Sequence, residues 1–296
     1  MKNYSIPEIT PPPPVEPRTA ILVAPGDMRQ HRNRTTWQTQ QAFEQLLSET
    51  FSKFNWNIQR AHPYQEKLGH GYLWNQRMGM DVFQQIDPEA PLVVPITVWQ
   101  YSHHVLAGLR SHRGPILTIA NWSGQWPGLV GLLGLNACLV KMGLSYSSLW
   151  TEDCSDEYFL THLQTWLQTG TTTHDTSHVH PVTLDQLPSS EVELGQALAD
   201  QLKHEKAVIG VFDEGCMGMY NAIIDDELLN PLGIYKERLS QSALFAEMNR
   251  TADEEAEAVY QWLQERGMSF EFGPDPTCDL TPEQVLTQCK LYLAAG

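Results

Sequence analysis

The sequence has few basic residues and no paired cysteines, and these two deficits exclude several classes of protein. It has 19 Lys and Arg against 35 Asp and Glu, which gives a net charge of −16 at pH 7. Because a negative surface repels phosphate backbones and anionic lipids, we expect no nucleic-acid partner and no membrane partner. The cysteines number 5 and form no C-x-x-C pair, so the sequence predicts neither a disulfide framework nor a zinc site.

The sequence also lacks a long apolar segment and the glycine-rich phosphate-binding motifs. The longest apolar stretch, from Gly128 to Val140, is too short to span a bilayer. The first residues lead into prolines and not into an apolar signal segment, so we expect a soluble, cytoplasmic protein. Neither G-x-G-x-x-G nor a Walker loop is present, so no sequence signal supports a dinucleotide or a nucleoside triphosphate.

What the sequence contains is an alternation of short apolar runs and longer amphipathic stretches. Apolar runs without polar alternation are typical of strands that are buried on both faces of a parallel sheet. Strand–helix alternation predicts such a sheet with helices on both sides. We therefore predict an α/β fold with two Rossmann-like domains, each a doubly wound and mostly parallel sheet. The clearest predicted strands are 19–24, 91–97, 116–120 and 207–212.

Changes in composition divide the chain into three parts. Residues 1–17 form a proline-rich leader, and 170–190 are rich in Thr, His, Ser and Pro, which marks a boundary. We predict an N-terminal α/β domain over 18–170 and a second α/β domain over 171–296. The second has few strands for its helices, and no strand follows its last helix. We therefore expect the second domain to be truncated at its C-terminus.

Polar and aromatic residues follow several predicted strands. Because ligands bind outside the carboxyl ends of parallel strands, we expect these clusters to share one edge of their sheet. Aromatic faces stack on sugar rings, and Arg, Gln, Asn and His exchange hydrogen bonds with hydroxyl groups. These residue types favour a carbohydrate site. The candidate substrate-binding residues are Arg29, Trp99, Gln100, Tyr101, Trp122, Tyr220 and Asn221.

Each of these clusters also has a structural explanation. The tryptophans can be ordinary packing under a loop, and Arg29 can belong to a solvated basic loop. Asp213 and Glu214 follow the strand at 207–212 and are weak candidates for a general acid and base, a role that requires burial to separate their pKa values. Neighbours on a turn usually point in different directions, and most acids at turns are solvated. We predict no metal ligands.

The segment 212–224, together with 226–229 and 233–243, resembles the L-fucose isomerase and L-arabinose isomerase superfamily and is closest to the fucose isomerase-like branch. The resemblance also covers 96–99. It implies two N-terminal α/β domains, a C-terminal domain, and aldose–ketose isomerisation through an ene-diol with a divalent metal, typically Mn²⁺. It further implies trimers or hexamers, in which Trp99 and an arginine near Arg29 contact the substrate of a neighbouring subunit.

Members of that family are longer than this chain, and their metal-binding acids and histidine lie beyond the region of resemblance. Those ligands do not map onto Asp213 or Glu214. We therefore expect an N-terminal part of a sugar isomerase that lacks the Mn²⁺ ligands and acts on a monosaccharide. It would work as a homo-oligomer or with a separate C-terminal chain. The alternative is a non-catalytic sugar-binding, structural or regulatory subunit on the same scaffold.

Overall fold

The computed structural model describes residues 10–122, 128–214 and 218–296. Parts of three predicted features lie outside the described residues. They are the first nine residues of the leader, the segment 123–127 after the third clear strand, and 215–217 of the acidic loop.

The described chain forms two compact units. The first unit contains 10–182 and 218–223, and the second contains 183–214 and 224–296. The sequence prediction placed a single division near residue 170. It did not include the return of 218–223 to the first unit, so the Tyr220–Asn221 pair belongs to a different unit from Asp213 and Glu214.

The first unit is a doubly wound α/β domain, which confirms the predicted fold class. Its five strands are all parallel and lie in the order β2-β1-β3-β4-β5. In chain order its elements are β1 (Thr19–Leu22), α1 (Gln30–Lys53), β2 (Asn57–Arg60), α2 (Gln76–Phe83), β3 (Leu92–Ile96), α3 (His103–Ser111), β4 (Ile116–Asn121), α4 (Gly128–Lys141), β5 (Ser147–Thr151) and α5 (Glu157–Thr169).

Apolar side chains on the two faces of this sheet form two separate core layers. Val93 of β3 points into the layer covered by α1 and α5, which contribute Phe51 and Trp166. Its neighbour Val94 points to the opposite face, where α2, α3 and α4 pack, for example through Leu135. Because successive strand residues face opposite sides, an uninterrupted apolar run is what a sheet covered on both sides requires.

The second unit has a much smaller sheet. Its two strands are parallel, and Ala207 pairs with Ile234. In chain order its elements are α6 (Ser189–Glu205), β6 (Ala207–Val211), α7 (Asp226–Leu229), β7 (Ile234–Arg238), α8 (Gln241–Met248), α9 (Asp253–Glu265) and α10 (Pro282–Ala295). Helices α8, α9 and α10 form a small cluster of their own around Ala256, Val285 and Cys289.

The sequence pattern of the second unit predicts a short strand at 268–272, a helix over 237–248 and Thr251 as the N-cap of the helix at 253–266, and these three details are wrong. It also predicts Thr281 as the N-cap of the last helix. Residues 268–272 form no strand, because Phe270 packs against the cluster of α9 and α10 instead. The helix predicted from 237 begins at Gln241, since 237 and 238 belong to β7. Helix α9 is capped by Ala252, whose backbone N–H donates to Glu255 at 3.3 Å. The predicted cap of α10 is confirmed, because the Thr281 hydroxyl accepts a hydrogen bond from the backbone of Gln284.

No helix within the three described ranges combines the length and the apolarity that crossing a bilayer requires.

Candidate functional site

The chain order of the first sheet reverses between β1 and β3, and the loops that follow these two strands meet at its carboxyl edge. The backbone N–H of Tyr101 donates to the carbonyl oxygen of Gly26 at 3.1 Å. The long loop after β2 joins them through two backbone hydrogen bonds. The Leu73 carbonyl accepts from the Gly26 N–H at 2.8 Å, and the Leu73 N–H donates to the Ala24 carbonyl at 2.9 Å. Such a reversal point is where open parallel sheets bind their ligands.

An open cleft of about 690 Å³ lies at this point, and we call it the switch-point cleft. Its walls combine two aromatic rings, two imidazoles, two amides and one guanidinium. No carboxylate is among its described lining residues. The lining residues are Met28, Trp74, Asn75, Gln76, Arg77, Tyr101, His103, His104 and Gly218.

One wall of the cleft is the first turn of α2. Asn75 caps this helix, and its side-chain oxygen accepts a hydrogen bond from the backbone N–H of Met78 at 2.9 Å. The helix packs closely on the start of α3, because a Cβ atom added to Gly79 would lie 1.6 Å from the carbonyl oxygen of His104. Gly79 therefore sets the distance between the two helices, and through them the width of the cleft.

Tyr101 and His104 form the floor of the cleft. Their rings stack at 5.7 Å with an angle of 16° between planes. Burial lowers the pKa of His104 to about 4, so its ring is neutral at pH 7, and its Nδ1 lies 3.2 Å from the carbonyl oxygen of Leu73. Gly218 covers Tyr101 with a positive φ of 74°, and an added Cβ would lie 2.4 Å from the ring. Any other residue at 218 would displace Tyr101.

Arg29 lies beside the cleft and is held by a buried carboxylate. Its Nε and Nη2 donate to the two oxygens of Asp27 at 3.0 and 2.7 Å. The hydrogen bond to Asp27 raises the pKa of Arg29, and Tyr101 adds a smaller electrostatic contribution in the same direction. The Asn33 side chain fixes the Asp27 backbone, because its oxygen accepts from the Asp27 N–H at 2.8 Å and its nitrogen donates to the Asp27 carbonyl at 2.7 Å. The guanidinium is therefore oriented before any ligand arrives.

A buried hydrogen-bond network supports the loops from below. The Thr97 hydroxyl donates to Gln40 at 2.5 Å, and the Thr36 hydroxyl donates to a backbone carbonyl at 2.9 Å. Either oxygen can therefore accept the single proton of the Tyr72 hydroxyl, which lies 3.0 Å from the first and 3.2 Å from the second. Burial raises the pKa of Tyr72, which keeps this proton in place. The loop that carries Trp74 is thus fixed to β3 and α1.

Three of the predicted substrate residues line a small cavity beside the cleft and not the cleft itself. Trp99, Gln100 and Asn221 surround about 20 Å³, which is enough for roughly one water molecule. The Gln100 amide nitrogen donates to the Ser102 hydroxyl at 3.0 Å and to the carbonyl of Gly131 at 3.1 Å. Its oxygen is buried without a partner among the described residues. Gln100 therefore joins the loop after β3 to α4.

Within the first unit, Tyr220 packs between residues of α3 and α4. Its ring meets His103 edge-on at 6.0 Å, and the ammonium group of Lys141 lies 5.2 Å from its centroid. Lys141 also donates to the carbonyl oxygen of Ile223, and the Cys138 thiol lies 3.5 Å from the Asn221 side-chain oxygen. Tyr220 and Asn221 thus attach 218–223 to α4 and place Gly218 over Tyr101.

Trp122 lies apart from the other predicted residues. It follows β4 and lines a separate pocket with residues of β5 and α5. Tyr101 is therefore the one predicted substrate residue that lines the switch-point cleft. Five of the other predicted residues lie around this cleft without lining it, namely Arg29, Trp99, Gln100, Tyr220 and Asn221. Trp122 lies away from it.

Asp213 and Glu214 belong to the second unit, where Glu214 takes part in a network of ion pairs. Lys236 and Arg238 both contact Glu214, the latter at 3.2 Å, and both also contact Asp226 at 3.1 Å. The hydrogen bond from Lys236 is the largest cause that lowers the pKa of Glu214. A carboxylate held in this way is suited to balancing charge and not to exchanging protons near neutral pH. Asp213 is exposed.

The described residues do not fit a Mn²⁺ site. Within 10–122, 128–214 and 218–296, no three His, Cys, Asp or Glu side chains are placed to hold a metal ion. Oxygen and imidazole ligands are what Mn²⁺ prefers, and the switch-point cleft offers histidines without a carboxylate. We derive no chemical step through a metal.

The cleft can bind a polar, neutral ligand with one apolar face. Tyr101 and Trp74 offer ring surface, while Asn75, Gln76 and Arg77 offer hydrogen bonds. Sequence reasoning missed Asn75, Gln76 and Arg77, because they come from a long loop and the start of a helix, and not from a strand end. Asn75, three residues before Met78 of an apolar helix face, was the signal that could have located this wall.

Comparison with known proteins found no matching family model and no matching curated protein.

Proposed function

We propose that the switch-point cleft binds a monosaccharide, and that the chain is an N-terminal part of an aldose–ketose isomerase related to the L-fucose and L-arabinose enzymes. The observation that carries the proposal is the position of the cleft. It lies where the strand order reverses, and it combines Tyr101 and Trp74 with the amides of Asn75 and Gln76. This combination matches a ligand with one apolar ring face and several hydroxyl groups.

Within this proposal the described residues bind and orient the sugar. His104 is neutral and hydrogen-bonded to the backbone, and Glu214 is held by cations in the other unit. Neither is suited to moving a proton on a substrate. We propose that the family's Mn²⁺ and its acidic ligands come from a further segment or chain, and that the protein acts in the cytoplasm as an oligomer. The second candidate is a sugar-binding subunit without catalysis, which the absence of a carboxylate from the described lining of the cleft favours.

Isothermal titration calorimetry of the full chain with L-fucose and L-arabinose in EDTA tests the binding proposal. We expect saturable binding with a dissociation constant on the order of millimolar. Tyr101→Leu should weaken it about tenfold or more, because it removes the ring and the hydroxyl from the floor of the cleft. Trp122→Leu is the matched control and should leave it unchanged. If neither sugar binds, or if both variants behave alike, the sugar site is not at this cleft.

Ketose formation with added Mn²⁺ separates the two candidates. The N-terminal-part proposal expects turnover only when the complementary domain is supplied, whereas the subunit proposal expects none in either case. Robust turnover by the isolated chain would contradict both, because it would require a complete reaction centre within this sequence.

A further inference from the structure

A second pocket lies at the carboxyl ends of β4 and β5, at a different place along the sheet edge from the switch-point cleft. It encloses about 210 Å³, and we call it the aromatic pocket. Three of its side chains are large aromatics that are about half exposed: Trp122 at 49%, Trp150 at 46% and Tyr158 at 50%. Its described lining residues are Trp122, Trp150, Thr151, Glu152, Asp156, Tyr158 and His174.

Strand register explains why the two tryptophans meet. Ala120 pairs with Trp150 in the parallel ladder, and the backbone N–H of Trp122 donates to the carbonyl of Thr151 at 2.8 Å. Trp122 and Glu152 come directly after these two strands, and both line the pocket together with Trp150. This end of the sheet therefore carries two exposed indoles and a carboxylate.

Hydrogen bonds fix the third aromatic ring. Tyr158 stacks on His174 at 5.8 Å with 9° between planes, and Trp150 lies 5.8 Å from the same imidazole. The Nε2 atom of His174 is 2.8 Å from the carbonyl oxygen of Ser148, which can only accept, so Nε2 carries the proton. In the neutral ring Nδ1 then accepts from the Tyr158 hydroxyl. The polar atoms of both rings are used within the protein.

Most other polar groups of the pocket are also used internally. Asp156 caps α5, and its oxygens accept from the backbone of Phe159 and from the Thr151 hydroxyl, each at 2.7 Å. Glu152 differs, because it has no hydrogen bond or ion pair within the described chain. No lysine or arginine is among the described lining residues. The pocket therefore offers its ligand aromatic faces and one unshared negative charge.

We propose that the aromatic pocket binds a small organic cation, an alkylated ammonium group. Such a cation is attracted by the faces of Trp and Tyr rings and by a nearby carboxylate, and it needs no hydrogen-bond donors from the protein. A sugar would need several free donors and acceptors, and here these are limited to Glu152 and the indole N–H groups. The proposal does not depend on the sugar site, which lies at the other strand pair.

Calorimetric titration with choline tests this proposal, with dimethylbutanol as the control ligand. The isomer to use is 3,3-dimethylbutan-1-ol, which has the same shape as choline but carries a quaternary carbon in place of the charged nitrogen. We expect saturable choline binding in the millimolar range and at least about tenfold weaker binding of dimethylbutanol at matched ionic strength. Equal binding of the two ligands, or no binding of choline, overturns the proposal. A trimethyllysine peptide presents the same head group, and comparing its affinity with that of choline identifies whether the source is a protein side chain or a free molecule.

Two substitutions locate the site. Glu152→Gln should weaken choline binding about fivefold or more and leave dimethylbutanol unaffected, because only the charge is removed. Glu157→Gln is the matched control, since Glu157 is exposed on α5 and does not line the pocket. Circular dichroism should show the same fold for both variants. Unchanged choline affinity in the Glu152 variant would place the cation elsewhere and overturn the assignment.

Discussion

The two parallel sheets of this protein differ in how their strands are covered. In the first unit every residue of β3 and β4 is buried. In the second unit β6 is an equally apolar strand, yet Val208 is 72% exposed and Ile209 is 47% exposed. The same contrast holds for the helices, since α1 buries Phe43, Leu47 and Phe51, while α6 has no buried residue.

An apolar run therefore specifies a strand but does not determine whether that strand is buried. A parallel sheet is stable when helices cover both of its faces, and the first unit supplies five of them within the described residues. In the second unit the described helices α8 to α10 pack mainly on one another. We therefore expect most of the free energy of unfolding to reside in the first unit.

The largest expected effect comes from truncating one isoleucine in each sheet. Ile119→Ala in β4 removes a fully buried side chain and should cost about 2–5 kcal/mol of stability. Ile209→Ala in β6 should cost less than about 1 kcal/mol, because that side chain is already half exposed.

Two probes separate the units in this experiment. All the tryptophans of the described residues except Trp262 belong to the first unit, so denaturant unfolding followed by their fluorescence measures the first variant. Hydrogen exchange of the β6 amides measures the second. If both substitutions cost the same, β6 is covered in solution and the contrast between the sheets disappears.

The sequence predicted the elements of the first unit well because their signals are local. The runs at 19–24, 91–97 and 116–120 are apolar without interruption, and each forms a buried strand. By contrast, β7 (Ile234–Arg238) contains three charged residues in its five positions, and its pairing with β6 gives it a strand conformation that its own composition does not indicate. Strand pairing over a long separation is not visible in a local pattern.

The site was predicted less completely for a related reason. The strand-end rule located Tyr101 and Arg29, because β3 and β1 were recognised and their loops follow directly. It could not distinguish side chains that face a ligand from those that hold the loops together. Gln100 and Tyr220 have the residue types of a sugar site, but tertiary packing uses them to attach the β3 loop and 218–223 to α4.

The two units should differ in how their stability depends on pH. Burial lowers the pKa of His70 and of His104 to about 4, against 6.5 for an ordinary histidine. The unfolded chain then binds more protons than the folded chain between these values. Stability of the first unit is therefore complete above about pH 6.5 and declines as the pH falls towards 4, by at most about 3 kcal/mol for each histidine.

Denaturant midpoints from tryptophan fluorescence across this range measure the decline. His104→Asn should remove the contribution of His104 from the decline and leave that of His70, because the amide can still donate to the Leu73 carbonyl but does not titrate. If the stability of the unmodified protein does not change over this pH range, these imidazole rings become protonated without a loss of stability, which would contradict the prediction.

The second unit should respond to pH in a lower window and by a smaller amount. Hydrogen bonds from Lys236 are the largest cause that lowers the pKa of Glu214 and of Asp226 from ordinary values of 4.5 and 3.8. A lowered carboxyl pKa gives stability that is present above those values and is lost as the pH falls through the folded ones.

The smallest effect that we predict is therefore electrostatic and sensitive to salt. Glu214→Gln should speed hydrogen exchange of the β7 amides slightly at low ionic strength, because Lys236 and Arg238 lose one of their two carboxylate partners. At about 1 M NaCl, where charges are screened within about 3 Å, the difference should vanish. Glu237→Gln is the matched control, since it removes an exposed charge of the same strand that forms no ion pair with the residues that the structure describes. If the effect of Glu214→Gln persists at high salt, the second unit is stabilised by packing as well as by charge. Its stabilisation would then resemble that of the first unit more closely.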